Sequence, residues 1–316
     1  MLSEFTRREA LAKFGIIAGS SLLANSFFES SAHADGEGQD AKLTVQEVSK
    51  NINVIMGAGG NIALFASGST ALLVDSGFKQ FHDGIISEAA KINSAPVSIL
   101  INTHWHSDHT DGNAPLGAAG VRIIGHENTR KRLNSDQNVE FLNMKSSPSP
   151  KAALPVATFT DGMCLFVEDE EIELTHVAPA HTDSDLIVHF KTSNVIHAGD
   201  LFFNGFYPFI DYSSKGWLGG MVAAADIVLK KANATTKIIP GHGPLASRED
   251  FLDYRNVLAD IFSKIAPMVK AGKTVEQIVS AKPTAKYDEK WGRGFIPAAK
   301  FIPLIYTGIV RHEKKS

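Results

Sequence analysis

Cysteine is almost absent: Cys164 is the only one in 316 residues. That excludes an intramolecular disulfide framework, a multi-cysteine zinc site and an iron–sulfur cluster. Excess charge of either sign is also missing, since 31 Lys and Arg face 34 Asp and Glu for a net charge of −3. With no basic stripe either, the electrostatic footprint of a nucleic-acid binder is lacking. The apolar run near the start, Phe14 to Leu23, is too short to span a bilayer. What is present, 44% apolar and 21% charged residues with 26 Gly and 13 Pro, is an ordinary globular composition. The length allows a sizeable core, as one large domain or two small ones.

The N-terminus carries an export signature. Thr6-Arg7-Arg8-Glu9-Ala10-Leu11-Ala12-Lys13 sets two arginines before the apolar run, and the small-residue sequence Ala32-His33-Ala34 follows it. The pattern resembles a twin-arginine signal peptide over residues 1–34 with an A-x-A cleavage site. As an amphipathic helix of the fold it would be weakened by Gly15, Gly19, Ser20 and Ser21. The resemblance implies passage through the twin-arginine export machinery to a periplasmic or otherwise exported location, with no transmembrane segment in the mature chain. Cleavage removes three basic and three acidic residues and leaves the net charge at −3.

Residues 35–42 are small and polar and read as a linker. Alternation and β-branched residues predict strands at Leu43 to Val48, Asn53 to Met56, Ile62 to Ala66, Ala71 to Val74 and Val97 to Ile101. Further strands are expected at Val121 to Ile124, Val156 to Thr160, Glu171 to Val177, Leu186 to Phe190, Asn194 to His197 and Lys237 to Ile239. Helices are expected at Lys79 to Ile92, His126 to Leu133 and Leu218 to Lys231. Ser146-Ser-Pro-Ser-Pro150 marks a loop. The tail, 247–316, is helical, and Thr274-Val-Glu-Gln277 announces one of its helices as a capping box.

The chemistry begins after the strand Val97 to Ile101, in Thr103-His104-Trp105-His106-Ser107-Asp108-His109. In extended backbone His104 and His106 project to the same side, while Asp108 and His109 can turn toward a second position. Two adjacent metals could be served. Imidazole and carboxylate suit Zn²⁺, and a catalytic site leaves one coordination position open for water. Three later segments each offer one ligand at a strand end or turn: His181 in Ala-Pro-Ala-His-Thr-Asp-Ser-Asp, Asp200 in His-Ala-Gly-Asp-Leu and His242 in Pro-Gly-His-Gly-Pro. Such a site requires one rim where strand ends converge.

This series resembles the metallo-β-lactamase superfamily, whose His-x-His-x-Asp-His motif is followed by His, then Asp or Cys, then His. The resemblance covers about Asn51 to Leu245 and implies an α/β fold, a four-layer αβ/βα sandwich of two mixed sheets with helices outside. It implies one domain over 43–246, with 247–316 as a helical extension of it. Carried over by position, His104, His106 and His181 hold a first metal. Asp108, His109 and His242 hold a second, which Asp200 completes while bridging both, as in the glyoxalase II and lactonase branches. The implied cofactors are two Zn²⁺ ions, with iron or manganese as alternatives.

The implied activity is hydrolysis of a small-molecule carbonyl substrate (ester, lactone, thioester or amide) by a metal-bound hydroxide that Asp108 orients and whose proton it can relay. Two departures bear on a class B β-lactamase reading. The Cys ligand of class B1 enzymes is Asp200 here, and their carboxylate-binding Lys falls on Phe203. Gly-rich Met56-Gly-Ala-Gly-Gly60 sits where those enzymes carry a mobile hairpin loop, although its glycines also fit an ordinary turn. A β-lactamase, an iron-binding redox protein on the same scaffold and a binding module without turnover stay open as alternatives. Nothing in the sequence speaks to an oligomeric state.

Around the ligands, Asp75, Thr182, Asp183 and Asp185 are candidates to orient the imidazoles, or else turn and cap residues. Phe202, Phe203, Phe206, Tyr207, Pro208 and Phe209 form either a substrate pocket or core beneath the rim. Alternation predicts that Trp105 packs away from its flanking histidines. His33, His82, His126, His176, His189, His197 and His312 read as structural. Cys164, in Met-Cys-Leu-Phe-Val, reads as an inert buried thiol.

Overall fold

Two mixed β-sheets, face to face, carry the molecule. The computed structural model describes residues 42–314, so the segment expected to be a signal peptide and most of the expected linker lie outside the described residues. The first sheet opens with β1 (Thr44–Ser49), β2 (Ile52–Met56), β3 (Ile62–Ser67) and β4 (Thr70–Val74), paired antiparallel in succession. After α1 (His82–Ile92), β5 (Val97–Ile101) returns parallel to β4. Then come α2 (Ser107–Thr110), α3 (Asn113–Ala118), β6 (Arg122–His126), α4 (Glu127–Leu133) and the small hairpin β7 (Gln137–Val139) and β8 (Met144–Ser146). Strand β9 (Ala157–Phe159) closes the sheet in the order β1-β2-β3-β4-β5-β6-β9, parallel to β6 as β6 is to β5.

The second sheet repeats the plan: β10 (Gly162–Val167), β11 (Glu170–His176), β12 (Leu186–Phe190) and β13 (Val195–Phe203) run antiparallel. Helix α5 (Leu218–Lys231) crosses to β14 (Lys237–His242), parallel to β13, and β15 (Ala246–Ser247) ends the sheet. Four helices follow, α6 (Arg248–Lys270), α7 (Val275–Ser280), α8 (Ala285–Trp291) and α9 (Ala298–Glu313). Capping boxes start α6 (Ser247 with Asp250) and α7 (Thr274 with Gln277), the latter as its sequence announces. Among the described residues no helix is long and apolar enough to cross a membrane.

Packing explains the four layers. Val54, Phe65, Leu72, Val74 and Ile101 of the first sheet meet Ile172, Leu174, Val188 and Phe190 of the second, with Phe65 and Phe190 stacked at 6.1 Å. Each such side chain contributes about 1.5–3 kcal/mol when fully buried. The other face of the first sheet is covered by Ile85 and Ala89 of α1 and Leu116 of α3. Helices α5, α6 and α9 cover the second, forming one cluster with Phe202, Phe251, Tyr254, Leu258 and Ile305. The tail is therefore a layer of the same core.

Two local expectations fail. Cys164 is exposed: in β10, at the sheet edge, Cys164 and Phe166 alternate outward while Val167 is buried. Strand β13 runs on past His197 to Phe203, buried throughout. Its Gly199, at φ +51°, marks a break in register with β14 that the sequence presents as a turn. That irregularity aims Asp200 into the site.

Candidate metal centre

In each sheet, parallel pairing aligns the C-terminal ends of strands, where α/β folds place their sites. Asp75 follows β4, His104 to His109 follow β5, and Asp200 and His242 lie on β13 and β14. His181 comes from the loop between β11 and β12. These strand ends bring all seven residues of the sequence motif together. His104, His106, His181 and Asp200 form one group and Asp108, His109 and His242 another, the ligand atoms of each lying within 4.8 Å of one another. All seven are buried.

Asp200 stands between the groups. Its Oδ2 is 3.3 Å from His181 Nε2 and 3.8 Å from His104 Nε2, and its Oδ1 is 3.1 Å from His109 Nε2 and 3.4 Å from His242 Nε2. Asp108 Oδ2 closes the second group, 3.2 Å from His242 Nε2 and 3.4 Å from His109 Nε2. In the first group His106 Nδ1 and His181 Nε2 face each other at 2.9 Å.

On four of the histidines the other ring nitrogen is held, which fixes tautomer and orientation. His104 Nδ1 meets Thr103 Oγ1 at 3.1 Å, His106 Nε2 meets Asp211 Oδ2 at 3.2 Å, and His109 Nδ1 meets Asp75 Oδ2 at 2.7 Å. The Nδ1–H of His181 donates to the Phe209 carbonyl at 2.8 Å. Asp75 does double duty, accepting from Thr103 N–H and Oγ1–H as well. It adopts φ +66°, a left-handed conformation uncommon outside glycine.

Of the other candidates, Asp185 accepts from the backbone N–H groups of His181 and Thr182, so it shapes the turn, and the imidazole it meets is that of His176, outside the ligand set. Asp183 turns away to Arg132 and Lys215. The sequence reading misses Asp211 and the Phe209 carbonyl. Asp211 does announce a local turn, accepting from Ser213 N–H, but its bond to His106 spans 105 positions.

Backbone space is equally constrained. A Cβ on Gly60 would sit 2.2 Å from the His109 ring, and one on Gly241 2.0 Å from Asp200 Oδ1. The Gly57 to Gly60 segment therefore packs against two of the ligands, its Gly60 N–H bonded to the Asp108 carbonyl. Trp105 also corrects its expectation. The strand ends at Ile101, so alternation no longer applies, and the indole packs edge-on against His106 at 4.6 Å. The aromatic run divides: Phe202 joins the core with Phe251 and Tyr254, Phe203 stacks on His242 at 5.2 Å, and Phe209 faces the cleft beside His106.

The electrostatics suit cations. Burial pushes His104 well below the ordinary imidazole range, and pushes His181 down to about 4 against the pull of Asp200. For Asp108 and Asp200 burial works upward, yet the facing histidines hold both carboxyls below the usual range. Burial works downward on His109 and His242, but the carboxylates raise His109 and bring His242 to about 9. His104 Nε2, His109 Nε2, Asp108 Oδ2 and Asp200 Oδ1 are buried without a hydrogen bond of good geometry. Each such group costs about 1–3 kcal/mol when left unmet. Four of them converging are accounted for by lone pairs directed at metal ions, and the donor set fits a pair of them.

Fold and site together define the class, an MBL-fold metallo-hydrolase type with a dinuclear-type metal centre. The chain belongs to the metallo-beta-lactamase superfamily, whose profile matches residues 56–256. Among curated proteins it is similar to "Lactamase-like protein ptaB" of Pestalotiopsis fici (strain W106-1 / CGMCC3.15140), 27% identical over 166 residues. That match spans 49% of this chain and 46% of the relative, so less than half of the relative's length is represented. Among solved structures, a metallo-beta-lactamase from Pontibacter korlensis superposes with a TM-score of 0.56 at 17% identity, over 69% of this chain and 100% of the other. The DIM-1 metallo-beta-lactamase gives 0.56 and 17% over 69% and 97%. At those identities the likeness is one of fold.

Proposed function

We propose that the chain is a dinuclear metal-dependent hydrolase of a small-molecule carbonyl compound, an ester, lactone, thioester or amide. The observation that carries this reading is Asp200, one buried carboxylate facing two adjoining ligand groups with its two oxygens. His104, His106, His181 and Asp200 would hold one ion, and Asp108, His109, His242 and Asp200 the other. Bound there, divalent ions acidify water and polarise a carbonyl oxygen. Zinc suits the donor set, with iron or manganese next.

The chain's own groups supply the rest. Asp108 lines the cleft beside the ligand cluster, and in this reading it orients the attacking water and relays its proton. Asp75, Asp211, Thr103 and the Phe209 carbonyl keep the imidazoles aimed. Phe203, buried and stacked on His242, offers no cation for a β-lactam carboxylate, which ranks β-lactams below other carbonyl substrates. The twin-arginine pattern of residues 1–34 supports export to the periplasm or beyond.

The test is a panel of esters, lactones, thioesters, amides and β-lactams assayed with protein stripped by a chelator and reloaded with zinc, iron or manganese. Turnover of a carbonyl class that disappears on stripping and returns with metal is expected. A fully loaded protein inert toward the whole panel, or active only in electron transfer, would overturn the reading.

A further inference from the structure

A cleft of about 520 Å³ opens beside the ligand cluster, with His106 and Asp108 in its lining. Its lining is mixed: Trp105, Leu133, Val139, Leu142, Met144 and Phe209 give it an apolar stretch of wall, beside a polar one from Asp111, Gln137 and the Ser146 to Ser149 loop. Arg132 also lines it and lies over the Trp105 ring at 5.6 Å. That guanidinium is already committed, forked onto Asp183 at 2.6 and 2.8 Å, so it is no receptor for an anion. Lys79 and Lys145 reach the cleft only as exposed rim residues.

Val139, Leu142 and Met144 all come from the β7–β8 hairpin, whose strands are three residues each. A two-stranded hairpin that short does not hold itself in water. Burial of Val139 and Leu142 in the core supplies part of the hold, and helix α9 adds to it. Arg311 forks onto Glu140 at the hairpin tip, with Nη1 to Oε1 at 2.9 Å and Nη2 to Oε2 at 2.6 Å. The same guanidinium covers the Tyr212 ring at 4.6 Å, and Ser213 Oγ accepts the Glu140 N–H at 3.0 Å. Tyr212 and Ser213 directly follow Asp211, which holds His106. Helix α9 thus ties the outer wall of the cleft to the turn that supports a histidine of the metal centre.

We propose that this cleft takes an apolar alkyl or aryl arm of the substrate, and that Arg311, acting through Glu140, is the positioning residue that sets its outer wall. The proposal rests on the hydrolase reading above. An arm seated there leaves the carbonyl at the His106 and Asp108 end of the cleft. Cleft size falls within the range of small-molecule sites. Each methylene moved from water to such a wall strengthens binding by roughly three- to four-fold.

The experiment is calorimetric titration of the metal-loaded full-length protein with acetate, butanoate, hexanoate and octanoate, carboxylate products of ester cleavage with arms of graded length. Affinity is expected to climb by roughly three- to four-fold per methylene. Leu142→Asp should flatten the series at unchanged metal content, and Leu142→Ala should lower its slope if the Asp variant fails to fold. Arg311→Ala should weaken octanoate by roughly three- to five-fold, as a half-exposed ion pair allows, with acetate within about two-fold. The charge swap Glu140→Arg with Arg311→Glu should restore most of the loss. A flat series in the unaltered protein, or a steep one indifferent to Leu142, overturns the apolar cleft. Arg311→Ala indistinguishable from the parent overturns the positioning role. A steep series in a protein that hydrolyses nothing on the carbonyl panel retires the hydrolase reading instead and leaves the apolar cleft intact.

Discussion

Every side chain of the ligand cluster sits in the C-terminal half of a strand or in the segment that follows one, whereas the cleft alongside is walled in part by a short hairpin that packs on the core and is tied to a remote helix. The cluster is polar and fixed by hydrogen bonds: Asp75 alone accepts from Thr103 and pairs with His109. The cleft has an apolar wall within a mixed lining, fixed by packing and by one half-exposed ion pair. Hydrogen bonds at set angles specify where charge sits, while packed surfaces specify shape and tolerate change in volume. The two regions should therefore fail differently when altered.

Asp200→Ala should break the cluster most severely, since it removes the carboxylate common to both groups. Metal content measured by elemental analysis should fall below the parent's and turnover should be lost. Asp108→Asn keeps the shape but removes the proton acceptor. Turnover should drop by about 10²- to 10⁴-fold while the fold, read by circular dichroism, and first-group metal persist. Asp75→Ala leaves all seven ligands in place and releases the His109 ring, so chelator competition should show metal binding weakened by about 10- to 100-fold.

Phe209→Leu separates the regions at a residue that serves both. Its carbonyl still accepts from His181, so metal content should stay constant, while loss of the ring should shift KM for the preferred substrate by about 10-fold. Cys164→Ser, on the exposed edge strand, lies outside both and should move stability in urea by no more than about 0.5 kcal/mol.

The same contrast explains what a reader of the sequence sees. His104-Trp-His-Ser-Asp-His109 is legible because three imidazoles and a carboxylate within six residues have little other reason to coincide. The sheets are legible too, as strands buried on both faces leave continuous apolar runs such as Ile62 to Phe65. Asp211 is not legible, because its partner is fixed only when the second sheet's loops fold over the first sheet's strand ends. Trp105 and Cys164 mislead for a shared reason. Alternation stops with β5 at Ile101, before Trp105, and the apolar run around Cys164 does not tell which face of β10 meets solvent. The hairpin wall and its tie to Arg311 depend on a contact spanning 171 positions, which no local pattern encodes.

The most direct measurement is anomalous diffraction from crystals of the metal-loaded protein. The account requires two ions, one among His104, His106 and His181 and one among Asp108, His109 and His242, with an oxygen of Asp200 on each. A single ion, or a pair that leaves Asp200 uncoordinated, would contradict it.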